Sequence, residues 1–405
     1  MIKQYYKQAL AQLRQHPLIS IIGIVGTALS IFLIMLVVMM QQVKVAPFSP
    51  ESNRNRFLHV HYMSISHKDW GNGTSNGPMS VQTAREVYKS LKTPEAVTVY
   101  CCMTVSTPVS LPGAPAIGAD VRETDDTFFH VFDFQFTDGK PYDEATFTAG
   151  RPVAVITESI SRALFGSIQS VGKEFLLSHA PYRVVGVVKD VSTLADMAYG
   201  QVWIPFTSTN LSNDTWSDNH MGMMSVTLLA HDREDFDEIR AEAKRRMNEY
   251  NSILADQGYT LIDRNRPYDQ ETQSISFAAN LEPDLKAARR ERVIIFIILL
   301  LVPAINLSSM TQSRLRQRVA EIGVRRAFGS TRIEMVGQIV MENLVITLLA
   351  GAIGLLISIL FAYWGTDILF AQPYSVTLNA PTVDSRILLQ PSTFLYALLF
   401  CFVLN

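Results

Sequence analysis

The residues with most to offer chemically lie late in the chain, at Glu321-Ile322-Gly323-Val324-Arg325-Arg326-Ala327-Phe328-Gly329-Ser330. A carboxylate and two guanidinium groups so close together can make charge-assisted hydrogen bonds to a partner, the arginine forks matching carboxylate or phosphate oxygens. Gly323 and Gly329 let a backbone turn tightly and be approached closely. Val319, Ile322, Val324, Ala327 and Phe328 recur at roughly helical spacing, with Arg314, Arg316, Arg318, Arg325 and Arg326 over much of the remaining surface. A short amphipathic helix follows. Spacing serves two readings equally, a basic helix held by anionic lipid headgroups and a helix docked on a protein.

Catalytic chemistry finds little support. The stretch Gly166–Lys173, GSIQSVGK, imitates a phosphate-binding loop, but five residues instead of four separate its glycines, and Glu174 stands where a Mg-binding Ser or Thr is needed. His59 and His61, two apart on a strand face, are half of a metal site with no third ligand nearby in sequence, so they read as core or surface histidines. No nucleophile, base and oxyanion pattern stands out among the serines. Cys101, Cys102 and Cys401 make neither a disulfide framework nor a zinc pattern. The adjacent pair is expected to face opposite ways along a strand. A net charge of −2 and the lack of a long basic tail argue against nucleic acid as a partner. No catalytic, cofactor-binding or metal-ligating set is therefore expected in this chain.

The basic segment is positioned by apolar runs. Of 405 residues, 48% are hydrophobic and 18% charged, too apolar a balance for an ordinary soluble protein. The apolar residues gather in Leu18–Met40, Val293–Met310, Leu344–Tyr363 and a last run from Phe394. A helix needs about 20 apolar residues to cross the hydrocarbon core, which the first and third supply and the second supplies with its flanks. Phe394–Leu404 offers 11 residues and is expected to be a fourth span cut short. Pro303 is expected to interrupt the second. In the third, Ala350, Gly351 and Gly354 permit close helix packing, within the chain or across a dimer.

Residues 1–17 place Ile2, Tyr5, Tyr6, Ala9, Leu10 and Leu13 on one face among Lys3, Lys7 and Arg14, as a helix on the inner leaflet would. Positive residues before the first span put the amino terminus in the cytoplasm. The expected order is then 1–17 interfacial helix, 18–40 first span, 41–290 extracytoplasmic domain, 291–312 second span, 313–340 cytoplasmic segment, 341–364 third span, 365–391 outer loop and 392–405 incomplete fourth span. Within the outer block, two strand–helix–strand units, Phe57–Val105 and Met224–Asp263, bracket a β-rich middle over Asp120–Pro205. The fold class is thus an α-helical membrane protein of four spans with a large mixed α/β extracytoplasmic domain between the first two.

The Glu321–Ser330 segment, closing a basic run before an apolar span, resembles the signature of FtsX-like permeases of the MacB type, membrane subunits of ABC transporters. Phe128-Phe129, Gly139-Lys140-Pro141, Pro152–Ile156, Leu164-Phe165-Gly166, Val171-Gly172-Lys173 and Tyr182–Val188 are similar, in order, to that family's extracytoplasmic domain. The resemblance implies that Glu321, Gly323, Arg325, Arg326, Ala327 and Gly329 couple the chain to a separate cytoplasmic ATPase, which binds ATP and Mg. It further implies a second permease chain, membrane lipid around the spans, and a periplasmic adaptor or substrate protein, in a bacterial inner membrane. The expected function is export of a peptide, lipoprotein or toxic compound. Two alternatives stand beside it: an FtsX-like regulator that switches a periplasmic hydrolase or sensor, and a membrane-anchored binding domain without an ATPase.

Overall fold

The computed structural model describes residues 17–317, 319–329 and 331–364 with 394, 395 and 399. The interfacial helix expected before Pro17, the loop expected at 365–391 and most of the expected fourth span lie outside the described residues. Two compact units emerge, one holding the long helices and the other built from Lys44–Leu285.

The long helices are α1 (Pro17–Val45), and, later in the chain, one over Leu285–Gln317, one over Val319–Ala327 and one over Arg332–Trp364. Among the described helices, those containing Ile21–Val45 and Arg332–Trp364 are long and apolar enough to cross a membrane, with mean hydropathy 2.8 and 2.7. The second expected span lies within Leu285–Gln317, which runs through Pro303 without a break. Proline removes one backbone donor and strains the preceding turn, yet here the helix continues on either side of it.

Among its described residues the outer unit contains fourteen strands: β1 (Phe57–Val60), β2 (Met63–His67), β3 (Thr74–Gly77), β4 (Ala96–Cys101), β5 (Val105–Ser110), β6 (Ile117–Thr124), β7 (Phe136–Gly139), β8 (Val153–Thr157), β9 (Glu174–Leu177), β10 (Ala180–Val188), β11 (Val202–Pro205), β12 (Met224–Leu229), β13 (Tyr259–Ile262) and β14 (Tyr268–Asp269). The two expected units interleave. β4, β12, β1 and β14 lie side by side in that order, so β12 sits between the strands of the first unit and β1 between those of the second. This is the split βαβ arrangement, with a helix returning on one face. Ser80 caps the first return helix, α2 (Val81–Ala84, widening into a π turn at Arg85–Lys89), its Oγ accepting from Thr83 N–H at 3.1 Å. The second, α3 (Phe236–Leu254), buries Phe236, Ile239, Ala243, Met247, Tyr250 and Leu254, a stripe of three- and four-residue steps. Together with Ala84, Val87 and Tyr88 they form one core with Leu58, Val60, Val99 and Val226 from the sheet.

Sequence order misassigns one strand of the second unit. β13 pairs with β2 in a separate three-stranded sheet with β3, and the two-residue β14 takes the place beside β1. The expected strand over Ala96–Val105 is also two strands, because the chain leaves the sheet after Cys101. Cys102 lies past the strand end and is half-buried where Cys101 is buried, so strand alternation does not govern the pair. The Cys102 thiol, with smaller help from Met103 and Arg122, holds Cys101 down at about 7.

The β-rich middle, inserted between β4 and β12, closes on itself. β5, β6, β11, β8, β10 and β9 pair in a ring, completed by the parallel pairing of β11 with β6. Closure leaves these strands no free edge. Val121, Ile156, Phe175, Leu177, Val184 and Ile204 fill the interior. The supposed phosphate loop is part of this wall: Gly166 ends the helix Glu158–Phe165 in a left-handed turn, and Gly172 N–H donates to Val184 O, so no helix follows to receive a phosphate.

A buried ion pair ties the segment after α1 to this insertion. Glu51 and Arg54 are 1% and 3% exposed and lie 2.7 Å apart. The other carboxylate oxygen of Glu51 accepts from Met197 and Ala198 N–H, and Arg54 donates to Ala46 O and Leu194 O. Phe48 lies under the guanidinium at 4.2 Å. Removing one partner of such a pair costs about 3–5 kcal/mol, because the other charge stays buried and uncompensated. Glu51→Ala is therefore expected to lower the unfolding free energy by that amount in denaturant titrations of the detergent-solubilised chain, and Glu51→Leu combined with Arg54→Met by clearly less.

Candidate functional site

The segment singled out by its charge and glycines folds as a nine-residue helix, α4 (Leu285–Gln317) having preceded it: α5 (Val319–Ala327) carries Glu321, Gly323, Arg325, Arg326 and Ala327 on one short rod. Phe328 N–H still closes on Val324 O, and the chain then turns at Gly329, whose φ of +94° suits glycine alone. Thr331 and Glu334 start α6 (Arg332–Trp364) with a reciprocal capping box: Thr331 N–H donates to the Glu334 carboxylate at 2.9 Å, and Glu334 N–H donates to Thr331 Oγ1 at 3.3 Å. A defined corner results, held by one helix end and one helix start. Around it stand exposed apolar side chains, with Phe328 88% and Ile333 85% exposed and Val324 and Val336 also open. Side chains of this size left bare next to basic positions make a surface that a partner would cover.

Helix α6 carries the small residues expected to pack. Ala350, Gly351 and Gly354 are all buried. Gly354 lies against α1: a Cβ there would be 2.8 Å from Ala28 O and 3.1 Å from Ile31 Cβ. The partner helix is thus in the same chain. Phe32 and Phe361 meet edge to face at 5.5 Å farther along the same contact. The corner at Gly329 is therefore joined, through one continuous helix, to a close contact with α1.

Sequence patterns of two families cover the chain. The MacB-like periplasmic core domain matches residues 18–246, and the FtsX-like permease C-terminal region matches residues 293–404. The chain belongs to the FtsX-like, MacB-type ABC transporter permease family. The uncharacterized ABC transporter permease YknZ of Bacillus subtilis is 22% identical over 244 residues, 58% of this chain and 55% of its own. The macrolide export ATP-binding/permease protein MacB of Burkholderia pseudomallei is 24% identical over 274 residues, 67% of this chain and 39% of its own. The chain thus spans about half or less of these relatives' lengths. The crystal structure of the periplasmic region of MacB from Actinobacillus actinomycetemcomitans covers 50% of this chain at 19% identity with a TM-score of 0.35. That of the extracellular domain of YknZ covers 50% at 14% identity with a TM-score of 0.36.

In this permease the first residues of the strand-bearing unit, around Lys44 and Ala46, are held by side chains that the sequence did not single out. A helix leaves its last carbonyls without partners. Gln270 Nε2 donates to Lys44 O at 2.8 Å, and Arg54 Nη1 to Ala46 O at 3.1 Å. Behind Gln270 stands His59, 1% exposed, its Nε2 2.9 Å from Gln270 Oε1 and its Nδ1 3.1 Å from Thr227 Oγ1. An amide oxygen only accepts, so His59 is the Nε2–H tautomer and accepts through Nδ1 from the Thr227 hydroxyl. Tyr100 O–H, 2.9 Å from Thr227 Oγ1, completes the line. His59 is thus a core histidine. His61 pairs instead with Ser225, its Nδ1 3.1 Å from Ser225 Oγ, so the two histidines serve different neighbours.

Burial pulls both His59 and His61 down to about 4. Between that value and the ordinary 6.5 the unfolded chain binds a proton that the folded chain does not, so stability falls as pH falls through this window. Each histidine contributes about 1.4 kcal/mol per pH unit there. Glu123 works the other way: burial raises it to about 7, so it holds a proton in the fold and costs stability as pH rises from 4.5. His59→Asn is expected to flatten the loss of stability between pH 6.5 and 4, read from denaturant midpoints, whereas Glu123→Gln steepens it. On the membrane side, Gly354→Leu is expected to lower the thermal midpoint, with a cost of about 1–3 kcal/mol from overpacking. Gly337→Leu, whose Cβ position meets nothing within 4 Å, is the control that leaves it unchanged or raises it.

Proposed function

We propose that this chain is the permease subunit of an ABC transporter complex in a bacterial inner membrane, carrying ATP-driven motion from a separate ATPase to its outer domain. The corner between α5 and α6 supports this reading more than any other feature. Its exposed Phe328 and Ile333 flank a glycine turn braced by the Thr331–Glu334 capping box, so a push on the corner displaces α6 instead of unravelling it. Glu321, Arg325 and Arg326 supply the charges that pair with the ATPase surface, and Gly323 and Gly329 let its backbone approach. Motion of α6 reaches α1 where Gly354 meets Ala28 and Ile31, and α1 continues along the chain into the outer domain, whose first residues Lys44 and Ala46 are held by Gln270 and Arg54.

Nucleotide and Mg belong to the partner, and hydrolysis with them. Two permease chains and two ATPase chains make the working assembly, with four spans in each permease and a periplasmic adaptor or substrate protein on the outer domain. Cargo would be a peptide, a lipoprotein or a toxic compound, and the name of the MacB relatives, macrolide export, favours the outward direction and the last of these.

Affinity purification of the tagged full chain from native membranes tests the assignment. An ATPase with ATP hydrolysis in the eluate is expected for the wild type, and its loss for Phe328→Asp and for Glu321→Ala combined with Arg325→Ala. A wild type that captures no ATPase after gentle cross-linking, or variants that retain it fully, would sink the coupling role.

A further inference from the structure

The outer domain holds a cleft of about 320 Å³ beside α3 and the segment that follows β13. Its charged lining is Arg240, Lys244, Arg264 and Arg266 against Asp263 and Glu282, an excess of two positive charges. The carboxylates do not serve the two central arginines. Glu282 accepts from Asn265 Nδ2 at 2.8 Å, and Asp263 faces Lys244 at 3.8 Å. Arg240 turns to Asp237 and Pro267 O. Arg264 donates from Nε to Ser64 Oγ at 2.9 Å, and Arg266 from Nη2 to Ala279 O at 2.9 Å. Neither has a carboxylate within 4 Å among the described residues.

Arg266 is 6% exposed, and its Nη1 has no hydrogen-bond partner. Tyr268 lies 5.1 Å beneath the guanidinium and supplies packing without an acceptor. A buried guanidinium with Nη1 unpaired is costly, and the cost falls when an anion takes that donor. Burial, and to a lesser degree the neighbouring Arg264, holds the Arg266 pKa below its usual value against the opposing pull of Tyr268, Tyr88 and Glu282.

We propose that this cleft is a binding site for a phosphoryl dianion, a phosphate or phosphomonoester group held by Arg264 and Arg266 with Lys244 at the rim. Two arginine forks match the spread of oxygens on a phosphoryl group, and a dianion neutralises the excess charge of the lining. The position gives occupancy a consequence. Glu282 and Pro283 belong to the cleft, and α4, which carries the second apolar run, begins at Leu285. A phosphoryl ligand therefore stiffens the segment by which the outer domain is continued into that helix. None of this depends on the permease reading.

The test is isothermal titration calorimetry of the full chain in neutral detergent with inorganic phosphate, at constant ionic strength set with chloride. Saturable binding at one site per chain is expected. Lys244→Gln and Arg264→Gln are each expected to weaken it severalfold, and their combination by at least about tenfold. Arg266→Lys, which keeps the charge but loses the fork, weakens it as well; should that variant unfold, the rim variants carry the test alone. A second arm repeats the titration in phosphatidylcholine nanodiscs with and without phosphatidic acid. Phosphate binding abolished only by phosphatidic acid assigns the site to a lipid headgroup, and equal binding in both assigns it to soluble phosphate. No saturable heat up to about 10 mM, or unchanged affinity in the combined rim variant, overturns the proposal and leaves an adventitious ion only.

Discussion

The buried pair of Glu51 and Arg54 is the interaction on which the outer domain depends. It lies where the chain leaves α1, and it reaches at once to Ala46 O behind it and to Leu194, Met197 and Ala198 in the insertion ahead. A charge pair with both members almost wholly out of water persists only when every donor and acceptor is directed. That requirement fixes the loop before β11 against the segment that begins at Ala46. Gln270 adds a bond to Lys44 O, positioned by His59, which is positioned in turn by Thr227 and Tyr100.

Between α5 and α6 stand a helix end, a left-handed glycine and a capping box. The contact of α6 with α1 brings Gly354 close to the Ala28 backbone and the Ile31 side chain, with Phe32 and Phe361 edge to face farther along. The outer domain is stiff through its packing. Its split βαβ sheet carries one core under α2 and α3, and its insertion is a closed ring of strands filled by aliphatic and aromatic side chains. Close packing transmits strain instead of dissipating it.

The sequence by itself determined which stretches are apolar enough to span, where the basic glycine-bearing corner falls, and which faces of the outer helices are buried. Phe236, Ile239, Ala243, Met247 and Tyr250 on α3 recur at helical spacing and Ser80 precedes a helical run, signals readable in the sequence because periodicity and capping are local, settled within a turn or two of chain. The strand pairing was not. β14 is two residues long, too short for any periodic signal, and β13 reads as strongly as its rivals yet belongs to another sheet. The break after Cys101 hides inside an unbroken β-favouring run. Tertiary structure alone decided these, because a strand takes its place from partners distant in the chain, and period-two alternation does not say which partner.

The same reason explains the residues that went unremarked. Glu51, Arg54, Gln270 and Arg266 are ordinary polar residues in a linear reading, each surrounded by others of the same type. Their meaning comes from burial: a guanidinium or carboxylate in water is satisfied by solvent, whereas one enclosed by the fold must find a specific partner or be left without one. Only the tertiary structure decides which charges are enclosed, since enclosure is made by distant segments, as Leu194 is 140 residues from Arg54 and Gln270 226 from Lys44. The sequence determined the inventory of helices, caps and charges, whose signals are local. The fold determined which of those charges became joints and which became a cleft, because burial is a property of contacts that no local stretch contains.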